Sequence, residues 1–317
     1  MNAIYDVIRK AFSLIFGPVL YAFYNLTGSY VLSIVALTLI IRLLLLPVSI
    51  KQQKNSAKQV RLNTKVNKIR QKYAGNQQKI QEETQALYQR EGFGAQNMGC
   101  LPLTIQMIVM IGLYGVIYTP LSSVLRFANT TIEKMASVMD IITEGTNNTR
   151  MYEIQILEHF AGFKDKLLDG VISSGQYDEL VALKDKYQIF GLELSGQPNF
   201  KEPSALWLIP ILAFLTSMLS AVYMYIKQRK QNPEMAKNPA MGCMAFMSPV
   251  MSLVFTFMFP AGVGFYWIVS NIISFVQQVA LTTIYSPKKV IAQQMVDETV
   301  IRRSKERNAK LRAENDK

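Results

Sequence analysis

The stretch SYVLSIVALTLIIRLLLLPVSI, residues 29–50, contains a single charged side chain, Arg42. A helix rises 1.5 Å per residue, so roughly 20 apolar residues cross the ~30 Å hydrocarbon core of a bilayer. Residues 29–50 meet that length. Working outward, the same reading applies to 99–120 (apolar from Gly99 to Tyr118), 204–226, 241–260 and 262–285. Arg42 is the only formal charge within the five runs. The composition agrees: 50% of residues are hydrophobic and 18% charged, against about a quarter charged in soluble domains. With two cysteines, Cys100 and Cys243, a disulfide scaffold is excluded, and the apolar content excludes disorder. The expected fold is an all-α integral membrane protein, a bundle of five transmembrane helices.

Residues 1–28 precede the first run. Ile4, Ile8, Ala11 and Ile15 share one helical face, and Asn2, Asp6, Arg9, Lys10 and Ser13 fall largely on the other, which predicts an amphipathic helix in the interface plane. The apolar stretch Ala11–Leu26 is short and interrupted by Gly17-Pro18, so it is not read as a sixth span. A signal peptide is the competing reading, but no small-residue cleavage site follows Arg9-Lys10 and its apolar run.

The connecting segments alternate in charge. Residues 51–98 hold ten Lys/Arg against three Asp/Glu, residues 227–240 four against one, and the tail 286–317 nine against five. Segment 121–203 holds eight basic residues against twelve acidic ones. Cytoplasmic loops carry the Lys/Arg excess, so the N-terminus is expected outside and the C-terminus in the cytoplasm. Much of the net charge of +12 is then a topology signal, and no specific nucleic-acid partner is expected.

Within 51–98 the spacing of Leu62, Val66, Ile69 and Tyr73, and then of Ile80 and Leu87, predicts two helices joined at Gly75-Asn76. This cationic hairpin suits anionic head groups, an incoming chain or a ribosome; an ordinary solvated hairpin is an equal reading. The outer segment 121–203 predicts short amphipathic helices. The tail 286–317 reads as a polar, basic helix or a disordered extension. His159 is the only histidine, and the sequence offers no P-loop, metal-ligand set, nucleophile–base pair or intramembrane carboxylate. No enzyme, cofactor or metal is expected.

Inside the spans, Arg42 is the residue with chemistry to explain. Near the centre of a helix a charge costs about 2.5–3.5 kcal/mol on translocon scales. Either Arg42 snorkels to the interface, or it faces a water-filled cavity within the bundle. Thr216, Ser220, Tyr223 and Lys227 form a polar stripe on the third span, and Tyr266, Ser270, Ser274 and Gln277 one on the fifth, flanked by Trp267, Asn271 and Gln278; Gln106 lies on the second. A hydrophilic groove open to the cytoplasm accounts for both stripes and the arginine, and ordinary interhelical hydrogen bonding accounts for the stripes alone.

The strings TLIIRLLLLP (38–47), LYQREGF (87–93), GCLPLTIQM (99–107), FGLELS (190–195) and FPAGVGFYWIVSNIISFVQQ (259–278) resemble the YidC-type membrane protein insertases, the bacterial branch of the Oxa superfamily. The resemblance covers most of residues 1–285. It departs from the family at Ser220, where Gln is frequent, and at Gly94–Asn97, which lacks the usual Asn-Pro. It implies a bacterial cell-membrane insertase and chaperone that works with or without the Sec translocon. Its clients would be nascent membrane proteins, small, of few spans and with acidic outer tails, drawn to Arg42 in the groove. An anion channel or transporter with Arg42 in its pathway is the alternative.

Overall fold

A computed structural model of the chain describes residues 2–92, 112, 114–141, 152–231 and 239–315. These fall into two compact units, one built from 1–44, 103–225 and 240–275, the other from 45–102, 226–239 and 276–317.

The first unit opens with α1 (Asn2–Thr27), which continues through Gly17-Pro18 as a single helix. Pro18 is exposed and Phe16 and Leu20 are buried. The packed face therefore survives the one backbone bond a proline removes, and the sequence expectation of an interruption is not met. Gly28, at φ 63°, ends the helix, its amide donating to the Tyr24 carbonyl at 2.8 Å. The chain then turns into α2 (Tyr30–Leu44), which packs along α1. α2 stops within the apolar run: Pro47 lacks an amide and its ring crowds the carbonyl four residues earlier, so a new helix begins at Leu46.

Much of the fully buried core lies in segment 121–203. Short helices α5 (Pro120–Ser123), α6 (Asn129–Val138), α7 (Tyr152–His159), α8 (Lys164–Leu168) and α9 (Ser174–Lys186) bury Leu121, Ile132, Met135, Ile156, Leu167, Leu180 and Leu183. The Glu153 carboxylate accepts from the Leu121 and Ser122 amides at 2.9 and 3.0 Å, closing the first turn of α5. Ser173 and Gln176 form a reciprocal cap on α9. Tyr187 follows α9; its ring centroid lies 4.3 Å from that of Tyr30, and its hydroxyl is 3.3 Å from the Ile117 carbonyl. Burial pushes the Tyr187 phenol well above its usual pKa, so it stays a neutral donor.

Among the described residues the fold is all-α, as expected, apart from one short strand pairing in segment 121–203. Gln188–Ile189 (β1) and Leu192–Glu193 (β2) pair as a minimal antiparallel hairpin turning at Phe190-Gly191. The strand that leaves it ties down two apolar helices, α11 (Pro239–Met258) and α12 (Ala261–Ile284). The amides of Ala261 and Gly262 donate to the carbonyls of Gly196 and Leu194, both at 2.8 Å, and Gln197 Nε2 donates to the Phe257 carbonyl at 3.2 Å.

α10 (Leu208–Gln231) and α12 are long and apolar enough to cross a membrane. α2 and the helix that follows it, α3 (Leu46–Lys72), together qualify only as a broken span, and Phe246–Met258 within α11 is a shorter apolar helix. Most of the second expected span, with Gln106, lies outside the described residues. α12 approaches α10 closely at Gly264, where an added Cβ would stand 2.4 Å from Ile209 Cγ2.

In the second unit, α3 (Leu46–Lys72) and α4 (Gln77–Arg90) form a helical hairpin. Gly75 turns at φ 91°, and the Asn76 side chain caps α4 through the Lys79 amide at 3.0 Å. Lys65 pairs with Glu91. The tail is a helix, α13 (Pro287–Asn315), packed on α3. Gln53 donates to the Tyr285 carbonyl at 3.4 Å, and Arg61 grips Glu298 with two bonds of 2.8 and 3.1 Å, so the two helices run in the same direction. Val290, Ala57, Leu62 and Val66 are buried, and this partner on α3 is what an isolated reading of the tail cannot supply.

Two predictions follow from this packing. Gly264→Ala forces Ile209 aside and should destabilise the protein by about 1–3 kcal/mol, read as a lower Tm in detergent. Gly17→Ala, with no heavy atom within 4 Å of the new methyl, should instead gain roughly 0.5–1 kcal/mol. For the tail, Arg61 holds the Glu298 carboxyl below its ordinary range. The contribution of the pair is present above the unfolded carboxylate pKa and lost as pH falls through the depressed folded value. An exposed pair is worth at most about 1 kcal/mol, so α13 should stay docked at neutral pH in Glu298→Gln and lose only its acid sensitivity. Spin-label distances between α3 and α13 across a pH series would check this.

Candidate functional site

The site is built on α2, α10, α11 and α12 within the first unit. Arg42 sits in the last turn of α2, where the negative end of the helix dipole favours a cation. Its Nη2 donates to Ser270 Oγ at 2.5 Å and reaches the Ser270 carbonyl at 3.5 Å. Ser274, one turn further along α12, donates to that same carbonyl at 2.5 Å. The guanidinium is thus tied to neutral oxygen atoms, and none of the ion pairs among the described residues involves it.

Beside Ser270, Asn271 faces α10. Its Nδ2 lies 3.3 Å from both Thr216 Oγ1 and the Ala213 carbonyl. Thr216 also donates back to the Leu212 carbonyl at 2.8 Å. Ser252 on α11 donates to the Ala213 carbonyl at 3.3 Å. Three apolar helices therefore converge on one acceptor at a fully buried alanine, a residue small enough to let them approach.

Of the residues singled out from sequence, Arg42, Ser270 and Ser274 form one cluster and Thr216 and Asn271 a second, joined through α12. Tyr266 is buried one turn before Ser270 on the same face. Ser220 Oγ is buried without a hydrogen-bond partner among the described residues. Trp267 faces Phe255 at 6.2 Å between ring centroids, and Tyr223 meets Phe275 edge-on at 5.6 Å. Gln277 is half-buried on the part of α12 that belongs to the second unit. Gln106 lies outside the described residues. Sequence reasoning missed Ala213 and Ser252. The four-residue spacing of Ser248, Ser252 and Thr256 along a methionine-rich helix was the available signal for the second.

Removing the Ser270 hydroxyl should cost about 1.5–3 kcal/mol, the usual value for a hydrogen bond to a charged group. Ser270→Ala should therefore lower the Tm in detergent, and Arg42→Met with Ser270→Ala should lose less than the sum of the two single changes.

The family described as 60Kd inner membrane protein matches residues 22–289. The chain is 28% identical over 258 residues to the membrane protein insertase MisCA of Bacillus subtilis, covering 80% of this chain and 70% of that protein. It is 26% identical over 266 residues to membrane protein insertase YidC 1 of Listeria monocytogenes, covering 83% and 67%. Against the YidC insertase of Rickettsia bellii it is 27% identical over 270 residues, covering 84% of this chain and 38% of that longer protein. A match over most of the chain, with apolar helices of membrane-crossing length, makes this chain a membrane-embedded member of the 60Kd inner membrane protein family, the YidC-type branch of the Oxa superfamily.

Proposed function

We propose that the chain is a membrane protein insertase and chaperone. Arg42 would stand in a hydrophilic groove that opens to the cytoplasm, lined by Gln106, Thr216, Ser220, Tyr266, Trp267, Ser270, Asn271, Ser274 and Gln277. The observation that carries this reading is the Arg42–Ser270 bond: a guanidinium inside the apolar bundle is held by neutral oxygens, leaving its charge without a compensating carboxylate among the described residues. A buried charge in that state attracts an acidic segment passing nearby far more strongly than it would in water. The names of the relatives support the same activity.

In this reading an acidic outer tail of a nascent protein enters the groove, is held by Arg42 and crosses a shortened hydrocarbon path. Transfer of the client's own apolar segment into lipid drives the process, with no nucleotide required. The N-terminus lies outside and the C-terminus in the cytoplasm. The hairpin α3–α4 and the tail α13 then face the cytoplasm, where anionic lipid, ribosomes and the Sec translocon are the partners this arrangement suits.

Liposomes carrying only this protein test the proposal, with a small single-span client bearing an acidic outer tail and protease protection as the readout. Wild type and Arg42→Lys should insert it and Arg42→Ala should fall to near the level of empty liposomes. Insertion unaffected by Arg42→Ala would remove Arg42 from the mechanism. No insertion by wild type would count against autonomous activity, and chloride flux in the same liposomes would then favour an anion pathway.

A further inference from the structure

Phe190 is 98% exposed, the most exposed of the large hydrophobic side chains among the described residues. It occupies the first turn position of the β1–β2 hairpin at φ 49°, with Gly191 following at φ 78°. A bulky aromatic at positive φ is a genuine outlier; Asn, Asp and Gly are the residues that make such turns without strain. Neither burial nor turn chemistry accounts for a phenylalanine here; contact with an apolar phase outside the protein would.

The surroundings identify that phase. Gly191, at the tip, shares a cleft of about 340 Å³ with Ser204, Ala205 and Leu206, the residues that lead into α10, and with the carboxylates of Glu158 and Glu193 on its polar side. The strand leaving the hairpin is bonded at Leu194 and Gly196 to the first amides of α12. The tip therefore sits beside the first turns of the two helices that, among the described residues, are long and apolar enough to cross a membrane. An aromatic cluster occupies the same end. Phe200 is exposed and stacks on Phe257 at 3.7 Å between centroids. Trp207 meets Phe257 edge-on at 5.2 Å while its indole N–H donates to the Asn199 carbonyl at 2.8 Å. A tryptophan with its nitrogen satisfied at the polar end and its ring among apolar groups is the arrangement found at membrane–water boundaries.

We propose that the Phe190 tip is an anchor in the outer leaflet: the hairpin lowers its phenyl ring into the boundary between head groups and acyl chains, fixing the depth of the outer segment. This rests on α10 and α12 spanning the bilayer, as the proposed function assumes.

Single-cysteine variants with Cys100 and Cys243 replaced by serine test it, each carrying an environment-sensitive fluorophore in phospholipid liposomes. Phe190→Cys is the reporter, and Ile272→Cys, exposed midway along α12, reports whether that helix spans. The Phe190 probe should emit to the blue of the free dye and lose more intensity to a nitroxide high on the acyl chain than to one at its end. Aqueous iodide should quench it little. The Ile272 probe should show the opposite depth preference. Strong iodide quenching at 190 with Ile272 deep would overturn the anchor and leave the insertase reading intact. A 190 probe shielded from both quenchers would overturn it too, in favour of a protein partner. A second variant guards against label artefacts: Phe190→Asn removes the strain and should raise the Tm in detergent, with less gain in liposomes, whereas equal gains in both would contradict a lipid contact.

Discussion

Two backbone hydrogen bonds, from Ala261 and Gly262 to the carbonyls of Gly196 and Leu194, organise the first unit. A helix end has amide groups with no intrahelical acceptor, and in hydrocarbon each such group costs several kcal/mol. Segment 121–203 supplies the missing acceptors, and through Gln197 it also supplies a donor for the Phe257 carbonyl on α11. Segment 121–203 is thus more than a connector: its packed core positions the ends of two apolar helices, and Tyr187 ties it to α2 through Tyr30. Gly262 and Gly264 have a physical reason at this point, since side chains there would meet the Leu194 carbonyl and Ile209.

The polar contacts deeper in the bundle are weak individually and matter for what they leave unbalanced. A hydrogen bond to a charged group contributes about 1.5–3 kcal/mol, while a charge costs about 2.5–3.5 kcal/mol at the centre of a span and less toward its ends, where Arg42 sits in the last turn of α2. Ser270 therefore offsets much of the cost of holding Arg42 but leaves its charge in place, which an Asp or Glu partner would have cancelled. The same arithmetic is what the proposed capture of an acidic segment by Arg42 relies on.

Much of this was legible in the sequence where a physical rule acts on one segment at a time. The apolar runs, the turn at Gly75-Asn76 and the pairing of a lone arginine with polar stripes all follow from local pattern. What stayed hidden depends on partners distant in the chain. The tail carries too few apolar residues to suggest a core, yet Tyr285 and Glu298 meet Gln53 and Arg61 on α3. Ala213 attracts no notice in an apolar helix because its role lies in its carbonyl. The β-hairpin is two residues per strand, too short for alternation to show, although the Phe-Gly pair at its turn was within a stretch already singled out. Pro47 was visible, but whether it ends a span or only bends it is decided by what packs around it.

The parallel pairing of α3 with α13 has a consequence for biogenesis. Arg61 and Glu298 are 237 residues apart. At a synthesis rate of roughly 5–20 residues per second, α3 emerges on the order of ten to fifty seconds before its partner. During that interval the face of the hairpin that α13 will cover is open on the ribosome, available to nascent segments of the same chain or to factors that attend translation. The protein thus passes through its own synthesis as a temporarily uncovered client before its tail closes the assembly.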